Sequence, residues 1–207
     1  MCRRFALILT VILPALLQAQ DSSSKSKPHG TPAAPAPRQT AETIYRNPEF
    51  AFNYKIPYAW IDRTKPMQDD SADPSKSKLL LAVFERPPEV TGDTVNSAVV
   101  ITAESAASYP GLKTAADYMG PLTELTTSKG FKADGGPYDF PVGATTLVRG
   151  DFIRSVGSLS MQQSSLVLLR KGFVISFTFI AGSDDEIDEL IEKLSISASK
   201  TLTQESP

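Results

Sequence analysis

The clearest hydrophobic pattern lies near the C-terminal end of the chain, where two apolar runs flank a short connection that contains glycine. The runs at 165–169 and 173–179 are separated by Arg170-Lys171-Gly172, a connection of the length that closes a β-hairpin. Because alternate side chains of a strand point to the same face, the second run has one apolar face. That face is formed by Phe173, Ile175, Phe177 and Phe179.

The spacing of apolar positions changes from strand to helix directly after this hairpin. The spacing i, i+3, i+4, i+7 predicts an amphipathic helix over 184–194. Ser183 and Glu186 have the spacing of a capping box at its start. The helix is expected to cover the aromatic face of the hairpin with an apolar stripe composed of Ile187, Leu190, Ile191 and Leu194.

An aromatic strand opens the predicted domain. Between Tyr45 and Pro57 the apolar residues alternate, and Pro57 is expected to end the strand. Trp60 is interpreted as an aromatic plug at one end of the core rather than as a platform for a ligand, because large aromatic side chains are usually buried. The inward face of this strand consists of Phe50, Phe52, Tyr54 and Ile56.

Between these two ends the pattern predicts further strands and one internal helix. The helix begins at Thr114, which has capping spacing with Asp117, and ends at Gly130 as the C′ residue. The polar segment 64–77 is interpreted as a surface loop. The predicted strands are 78–85, 96–103, 138–140, 145–155 and 159–169. Because the connections have hairpin length, we predict an α+β fold with a mainly antiparallel sheet in one domain over 44–199.

The first 19 residues have the form of a signal peptide. Arg3 and Arg4 precede an apolar run from Phe5 to Leu17, and cleavage after Ala19 would leave Gln20 as the first residue. A permanent membrane anchor is the alternative, but the run is shorter than the roughly 20 residues that span a bilayer. We therefore predict export to the periplasm or the extracellular space, with no stable membrane span after cleavage.

Polar segments flank the predicted domain. Residues 20–43 are rich in Ser, Pro and Ala and contain almost no apolar side chains. A segment of this composition cannot bury enough surface to offset the entropy of ordering, so we interpret it as a disordered linker. Residues 200–207 are interpreted as a flexible tail.

The two ends of the domain together resemble the PsbP-like family, which includes many exported bacterial proteins. The resemblance rests on the opening pattern Phe-x-Phe-x-x-x-x-Pro-x-x-Trp at 50–60, and on the closing hairpin and acidic helix. It implies an α/β/α sandwich, in which helices pack on both faces of an antiparallel sheet. It also implies docking to a partner rather than catalysis, and it carries no catalytic, cofactor or metal residues over to this chain.

Composition removes several classes of chemistry. The only cysteine and the only histidine, Cys2 and His29, lie before the predicted domain, so its residues cannot form Ser-His-Asp or Cys-His pairs or a structural zinc site. No phosphate-binding glycine motif is present, and Gly135-Gly136 is interpreted as a turn. The formal net charge is −2, or −4 without Arg3 and Arg4, and no basic patch favours nucleic acid.

Carboxylates and Ser-Lys pairs are the remaining candidates for chemistry. Asp69, Asp70 and Asp73 do not have the spacing of a calcium loop, and the acidic residues of 184–192 suit the N-terminus and wet face of a helix. The Ser-Lys pairs at 75–78 and 128–129 lack a catalytic motif. Arg149 and Asp151 share a strand face and are interpreted as a surface ion pair. We therefore assign no catalytic, cofactor or metal residue.

Three functions remain open at the level of sequence. The first is a non-enzymatic exported domain that docks to a protein or a component of the cell envelope. The second is a carrier that holds a small apolar molecule between sheet and helix, suggested by the aromatic face of Phe50, Phe52, Phe173, Phe177 and Phe179. The third is a hydrolase that uses carboxylates or a Ser-Lys pair. The identity of the partner and the oligomeric state do not follow from the sequence.

Overall fold

Eleven strands and three α-helices make up the computed structural model, which describes residues 43–69 and 77–197. The helices are α1 (Thr64–Asp69), α2 (Ala115–Ser128) and α3 (Asp184–Ile191), and a short 3₁₀ turn spans Ala106–Ser108. The strands are β1 (Thr43–Asn47), β2 (Phe52–Ile56), β3 (Ile61–Asp62), β4 (Ser77–Phe84), β5 (Ala98–Ser105), β6 (Lys132–Ala133), β7 (Tyr138–Val142), β8 (Thr145–Val156), β9 (Leu159–Arg170), β10 (Phe173–Ala181) and β11 (Leu194–Ile196).

The strands form two antiparallel sheets. The main sheet has the order β3-β4-β5-β10-β9-β8-β6, and β7 pairs with the other half of β8. The small sheet has the order β1-β2-β11. Every described pair is antiparallel, which confirms the predicted sheet type and the α+β class.

The main sheet is covered on both faces. On one face lie α3 and the small sheet, whose apolar side chains pack with Phe177 and Phe179 of β10 into the largest core cluster. On the other face, α2 packs through Tyr118, Met119 and Leu122, and the half-buried Met67 of α1 contacts a second cluster. Helices therefore lie on both faces, as the predicted sandwich requires.

The predicted opening strand is a hairpin rather than one strand. β1 pairs with β2 in register from Thr43↔Ile56 to Asn47↔Phe52. Phe50, predicted within the strand, lies in the connecting turn, where the Asn47 side-chain oxygen accepts a hydrogen bond from its backbone N–H at 2.9 Å. Phe50 is still completely buried, because the turn folds its ring onto Phe173.

Two short elements correct the predictions for their segments. Residues 64–69 form α1, although 64–77 was predicted to be a loop. The predicted closing helix ends at Ile191, and Leu194 belongs to β11, which pairs with β2. Leu194 keeps its predicted burial because β11 places it against the same core as α3.

The predicted N-terminal caps of both helices and the glycine after α2 are confirmed. Thr114 and Asp117 form a reciprocal capping box, and Ser183 caps α3 by accepting a hydrogen bond from the Glu186 N–H at 3.3 Å. Gly130 follows α2 with φ +88°, the left-handed conformation that glycine adopts without strain. The predicted signal peptide, nearly all of the predicted linker and the predicted tail lie outside the described residues, as do Cys2 and His29.

Candidate functional site

A partly enclosed apolar cavity of about 130 Å³ lies on the α2 face of the main sheet. Its cover is the connection between β4 and β5, residues 86–96, which we call the strap. We call the cavity the strap pocket. Because most of the surface that lines the cavity is apolar, while eight of the nineteen lining residues are polar or charged, the cavity can hold an apolar group and hydrogen-bond a polar one.

The floor of the strap pocket is the outer face of four adjacent strands. Ala98, Ile180 and Gln163 are register partners across β5, β10 and β9, so they form one row of this floor. Thr178 lies two residues before Ile180 on the same face. The floor residues are Phe84, Ala98, Met161, Gln163, Thr178 and Ile180.

The strap is held closed at its base by polar contacts. The Arg86 N–H donates to the Asn96 side-chain oxygen, and the Asn96 amide donates to the Arg86 carbonyl, each at 3.0 Å. The Arg86 guanidinium donates to the hydroxyl of Thr94 at 2.9 Å and to its carbonyl. A Cβ added at Gly92 would lie 3.1 Å from the guanidinium, so a side chain there would require the guanidinium to shift by a few tenths of an ångström. Val90, 52% exposed, stands at the rim.

The third wall comes from the end of α2 and the β8–β9 hairpin. It contains Thr126, Lys129, Phe131, Val156 and Leu159. The Thr126 side chain is buried, and its hydroxyl has no hydrogen-bond partner among the described residues. A buried polar group without a partner costs free energy, and such an atom in a cavity wall marks a place where a ligand atom can satisfy it.

Lys129 lines the cavity, Arg154 lies beside its wall, and neither has an acidic partner among the described residues. The Arg154 guanidinium lies over the Phe131 ring, 5.8 Å from its centroid, and beside Gly130. Among the described residues that line the pocket, none carries a carboxyl group.

The aromatic face that suggested a carrier is packed core rather than pocket. Phe52, Phe177 and Phe179 are at most 1% exposed, and Phe52 and Phe177 meet edge to face with centroids 5.0 Å apart. Trp60 is also buried in this cluster, as predicted. The strap pocket lies on the opposite face of the sheet, so the predicted location of a carrier site was wrong. No periodic pattern in 86–96 distinguishes a strap from an ordinary connection.

The predicted acidic and Ser-Lys candidates that the structure describes do not converge. Asp69 pairs with Lys65 at 2.6 Å, and Asp70 and Asp73 lie outside the described residues. The Ser128 hydroxyl donates to the Leu125 carbonyl at 2.6 Å, so it is directed along the helix and not towards Lys129. Within residues 43–69 and 77–197, no group of three metal-ligating side chains comes together.

Arg149 and Asp151 form the predicted ion pair, but Arg149 is buried and the pair belongs to a larger network that reaches the surface at Asp188. Arg149 is 8% exposed and donates to Asp151 at 2.8 Å and to Asp188 of α3 at 3.0 Å. Asp151 also accepts from Tyr138 at 2.9 Å and from Ser164. Burial opposes the charge of Arg149, but the hydrogen bonds to Asp151 and Asp188 outweigh it and raise the pKa of Arg149. The network connects α3 to the sheet.

A second polar cluster anchors the 3₁₀ turn to α2. Tyr118 donates to the Glu104 carboxylate at 3.0 Å, Tyr109 donates to its other oxygen, and the two rings meet edge to face. Burial, together with the nearby Glu104 charge, raises the pKa of Tyr118 and of Tyr109. These groups satisfy one another, so the cluster has a structural role.

In the described part of the chain, no helix is long and apolar enough to cross a membrane.

Comparisons with known proteins identify similar folds. No family model matches the chain, and no curated protein matches its sequence. Among solved structures, PsbP of Synechocystis sp. PCC 6803 matches with a TM-score of 0.49 and 13% identity, over 82% of this chain and 98% of that one. The Ran-binding protein Mog1p of Saccharomyces cerevisiae matches with a TM-score of 0.45 and 10% identity, over 76% and 96%.

A third similar structure is LpqN of Mycobacterium tuberculosis, which is described as involved in cell envelope biogenesis. It matches with a TM-score of 0.40 and 11% identity, over 76% of this chain and 91% of that one. PsbP, a member of the family that the sequence pattern resembles, is among these matches. At these identities the likeness concerns the fold alone.

Proposed function

We propose that this chain is an exported, non-catalytic binding domain that holds a small apolar group in the strap pocket. The observation that carries the proposal is the pocket itself, a ring-sized apolar cavity between strap, sheet and α2. A cavity of about 150 Å³ in another protein is large enough for benzene. The signal-peptide pattern of residues 1–19 supports the proposal that the protein is exported.

A binding role fits the side chains better than a catalytic one. The described lining of the pocket contains hydroxyl, amide and cationic groups, but it contains neither a carboxylate nor a Ser-Lys pair that could act as a base and nucleophile. The chemistry that these groups support is recognition, since they can donate hydrogen bonds to a ligand whose apolar part fills the cavity.

Docking of a protein or envelope component, the first prediction from the sequence, has less support in the described residues. The exposed large hydrophobic side chains are single residues on different elements: Ile44, Tyr58, Val90 and Tyr138. Scattered exposed apolar residues are normal on a soluble surface. Only Val90 adjoins a cavity, so we place the binding site at the strap pocket.

The test is a chemical-shift titration with 4-phenylbutan-1-ol as a neutral, ring-sized probe. We expect a Kd on the order of 1 mM, with shifts concentrated at 86–96 and Thr126. Leu159→Trp fills the wall of the pocket and should abolish binding. Leu112→Trp is the matched control, because Leu112 is also a half-buried leucine but lies at the other end of α2.

Two results would refute the proposal. One is the absence of any saturable shift in the unsubstituted protein, and the other is equal binding by the Leu159→Trp variant. If Leu159→Trp instead abolished binding of a protein partner while the probe did not bind at all, the pocket would be the anchor point for a side chain of that partner, and the small-molecule role would be wrong.

A further inference from the structure

We infer that the ligand of the strap pocket is a monoanion, a small aryl or alkyl carboxylate whose apolar end enters the cavity. Its carboxylate is held at the α2 wall by Thr126, Lys129 and Arg154. This inference rests on the proposed function and adds the chemical class of the ligand.

The first argument is the position of Thr126 and Lys129 on the helix. Residues three apart on a helix are neighbours on one face, and both of these line the cavity. The buried Thr126 hydroxyl has no partner among the described residues, and Lys129 has no acidic neighbour there. One carboxylate can accept from both groups, which would satisfy the hydroxyl and pair the ammonium.

Arg154 adds a second positive charge at the same wall. Its guanidinium lies beside Gly130, the residue after Lys129, and over the ring of Phe131, which lines the cavity. One of its terminal nitrogens is buried and has no hydrogen-bond partner in the described structure. A guanidinium with free donors presents the planar geometry that carboxylates bind best.

The size of the cavity limits the apolar part of the ligand. A volume of about 130 Å³ accommodates one ring or a short alkyl segment, and not the body of a drug-sized molecule. The strap carries two carboxylates, of which Glu89 pairs with Arg63 and Asp93 forms no ion pair with another described residue. Glu85, directly before the strap, approaches Arg86 at 3.8 Å. Neither of these pairs occupies the cations of the α2 wall.

Helix electrostatics account for part of this arrangement but not for all of it. Lys129 is the C-cap of α2, where a positive charge is favoured by the last carbonyls. That effect explains why a cation occurs at this end of the helix. It does not explain the buried Thr126 hydroxyl, which could donate to the carbonyl one turn back and does not.

The test compares 4-phenylbutyrate with 4-phenylbutan-1-ol, which has the same ring and chain without the charge. We expect 4-phenylbutyrate to bind about tenfold more tightly at low salt, as one charge-assisted hydrogen bond predicts. Its advantage should decrease as the salt concentration rises, because exposed charges are screened. Isothermal titration and chemical-shift titration both report these affinities.

Two variants test the residues. Lys129→Met and Thr126→Val should each reduce the preference for 4-phenylbutyrate over the alcohol to about threefold or less. Lys113→Met is the matched control, since it removes an exposed lysine at the other end of α2 and should leave the preference unchanged. Thermal unfolding and the alcohol affinity identify any variant that has lost its fold.

The outcomes separate the two proposals. If both probes bind with equal affinity, or if Lys129→Met and Thr126→Val keep the full preference, the anion site is refuted while the apolar pocket stands. If neither probe binds, the proposed function is refuted as well. If Lys113→Met reduced the preference for 4-phenylbutyrate as much as Lys129→Met does, the preference would be a general effect of charge. That result would also refute the anion site.

Discussion

Single aromatic residues determine how the two sheets meet. Phe177 is completely buried and packs edge to face on Phe52 of the small sheet, with an interplanar angle of 84°. The alternation of apolar residues was sufficient to place this ring in the core. The alternation could not show that Phe50 lies in a turn. Phe50 is buried and lies two positions before Phe52, so it fits the alternation of a strand.

Truncating Phe177 tests this contact. Phe177→Ala should lower the free energy of unfolding by about 3–5 kcal/mol, since it removes a buried ring and leaves a cavity. Chemical denaturation measures the change. Tyr58→Ala, at a tyrosine that is 67% exposed, should change it by less than about 0.5 kcal/mol. A nearly neutral effect at Phe177 would show that the two sheets do not pack through this face.

Buried polar residues were the least predictable part of the molecule. The sequence placed Arg149 and Asp151 on one strand face, but Arg149 also pairs with Asp188, which is 39 residues away and contacts it at 3.0 Å. Spacing within one element cannot report such a partner. The Thr126 hydroxyl could not be predicted for the same reason. Whether it finds a hydrogen-bond partner depends on the elements that pack around α2, and none of the described residues provides one.

Among the elements, the β9–β10 hairpin was predicted most closely because its turn has a local signature. Lys171 and Gly172 form a two-residue connection, and both have positive φ, at 51° and 76°. This is the conformation of a type I′ turn, for which Asn-Gly is the preferred sequence. The twist of the two long strands therefore holds a lysine in a conformation that costs it free energy.

Substitutions in this turn should change stability in opposite directions. Lys171→Asn should raise the free energy of unfolding by about 0.5–1 kcal/mol, because asparagine tolerates positive φ better. Gly172→Ala should lower it by about 1 kcal/mol. Gly136→Ala is a matched control, since its added methyl group meets open space without positive φ. If Gly172→Ala and Gly136→Ala had equal effects in chemical denaturation, the turn type would be wrong.

The short elements escaped prediction because they depend on tertiary contacts. β11 has three residues, and its pairing partner β2 lies about 140 positions earlier in the chain. Because Leu194 continues the apolar spacing of α3, the predicted helix included it, although it belongs to β11. The six residues of α1 are likewise too few for a periodic signal.

At the scale of the whole molecule, the sequence pattern predicted the antiparallel sheet, and the resemblance to PsbP-like proteins implied helices on both of its faces. The separate small sheet and the strap pocket were not predicted. The strap pocket exists because the strap extends across one end of the sheet. The sequence of residues 86–96 has no periodic pattern from which this position could be predicted.

Export is testable directly on the whole protein. If residues 1–19 are a signal peptide, protein recovered from outside the cytoplasm should begin at Gln20, and intact mass should show the loss of the first 19 residues. Replacing Leu9 with Arg interrupts the apolar run and should leave the full-length chain in the cytoplasm. A full-length chain recovered from the membrane fraction would instead indicate a retained anchor.

The two ends of the described fold share one small sheet. β1 and β11 both pair with β2, on the face of the main sheet opposite the strap. A molecule attached to a support at residue 43 or at residue 197 would thus present the strap pocket away from the support. Preparations immobilised at either of these positions should therefore keep the same access to the pocket as the free protein.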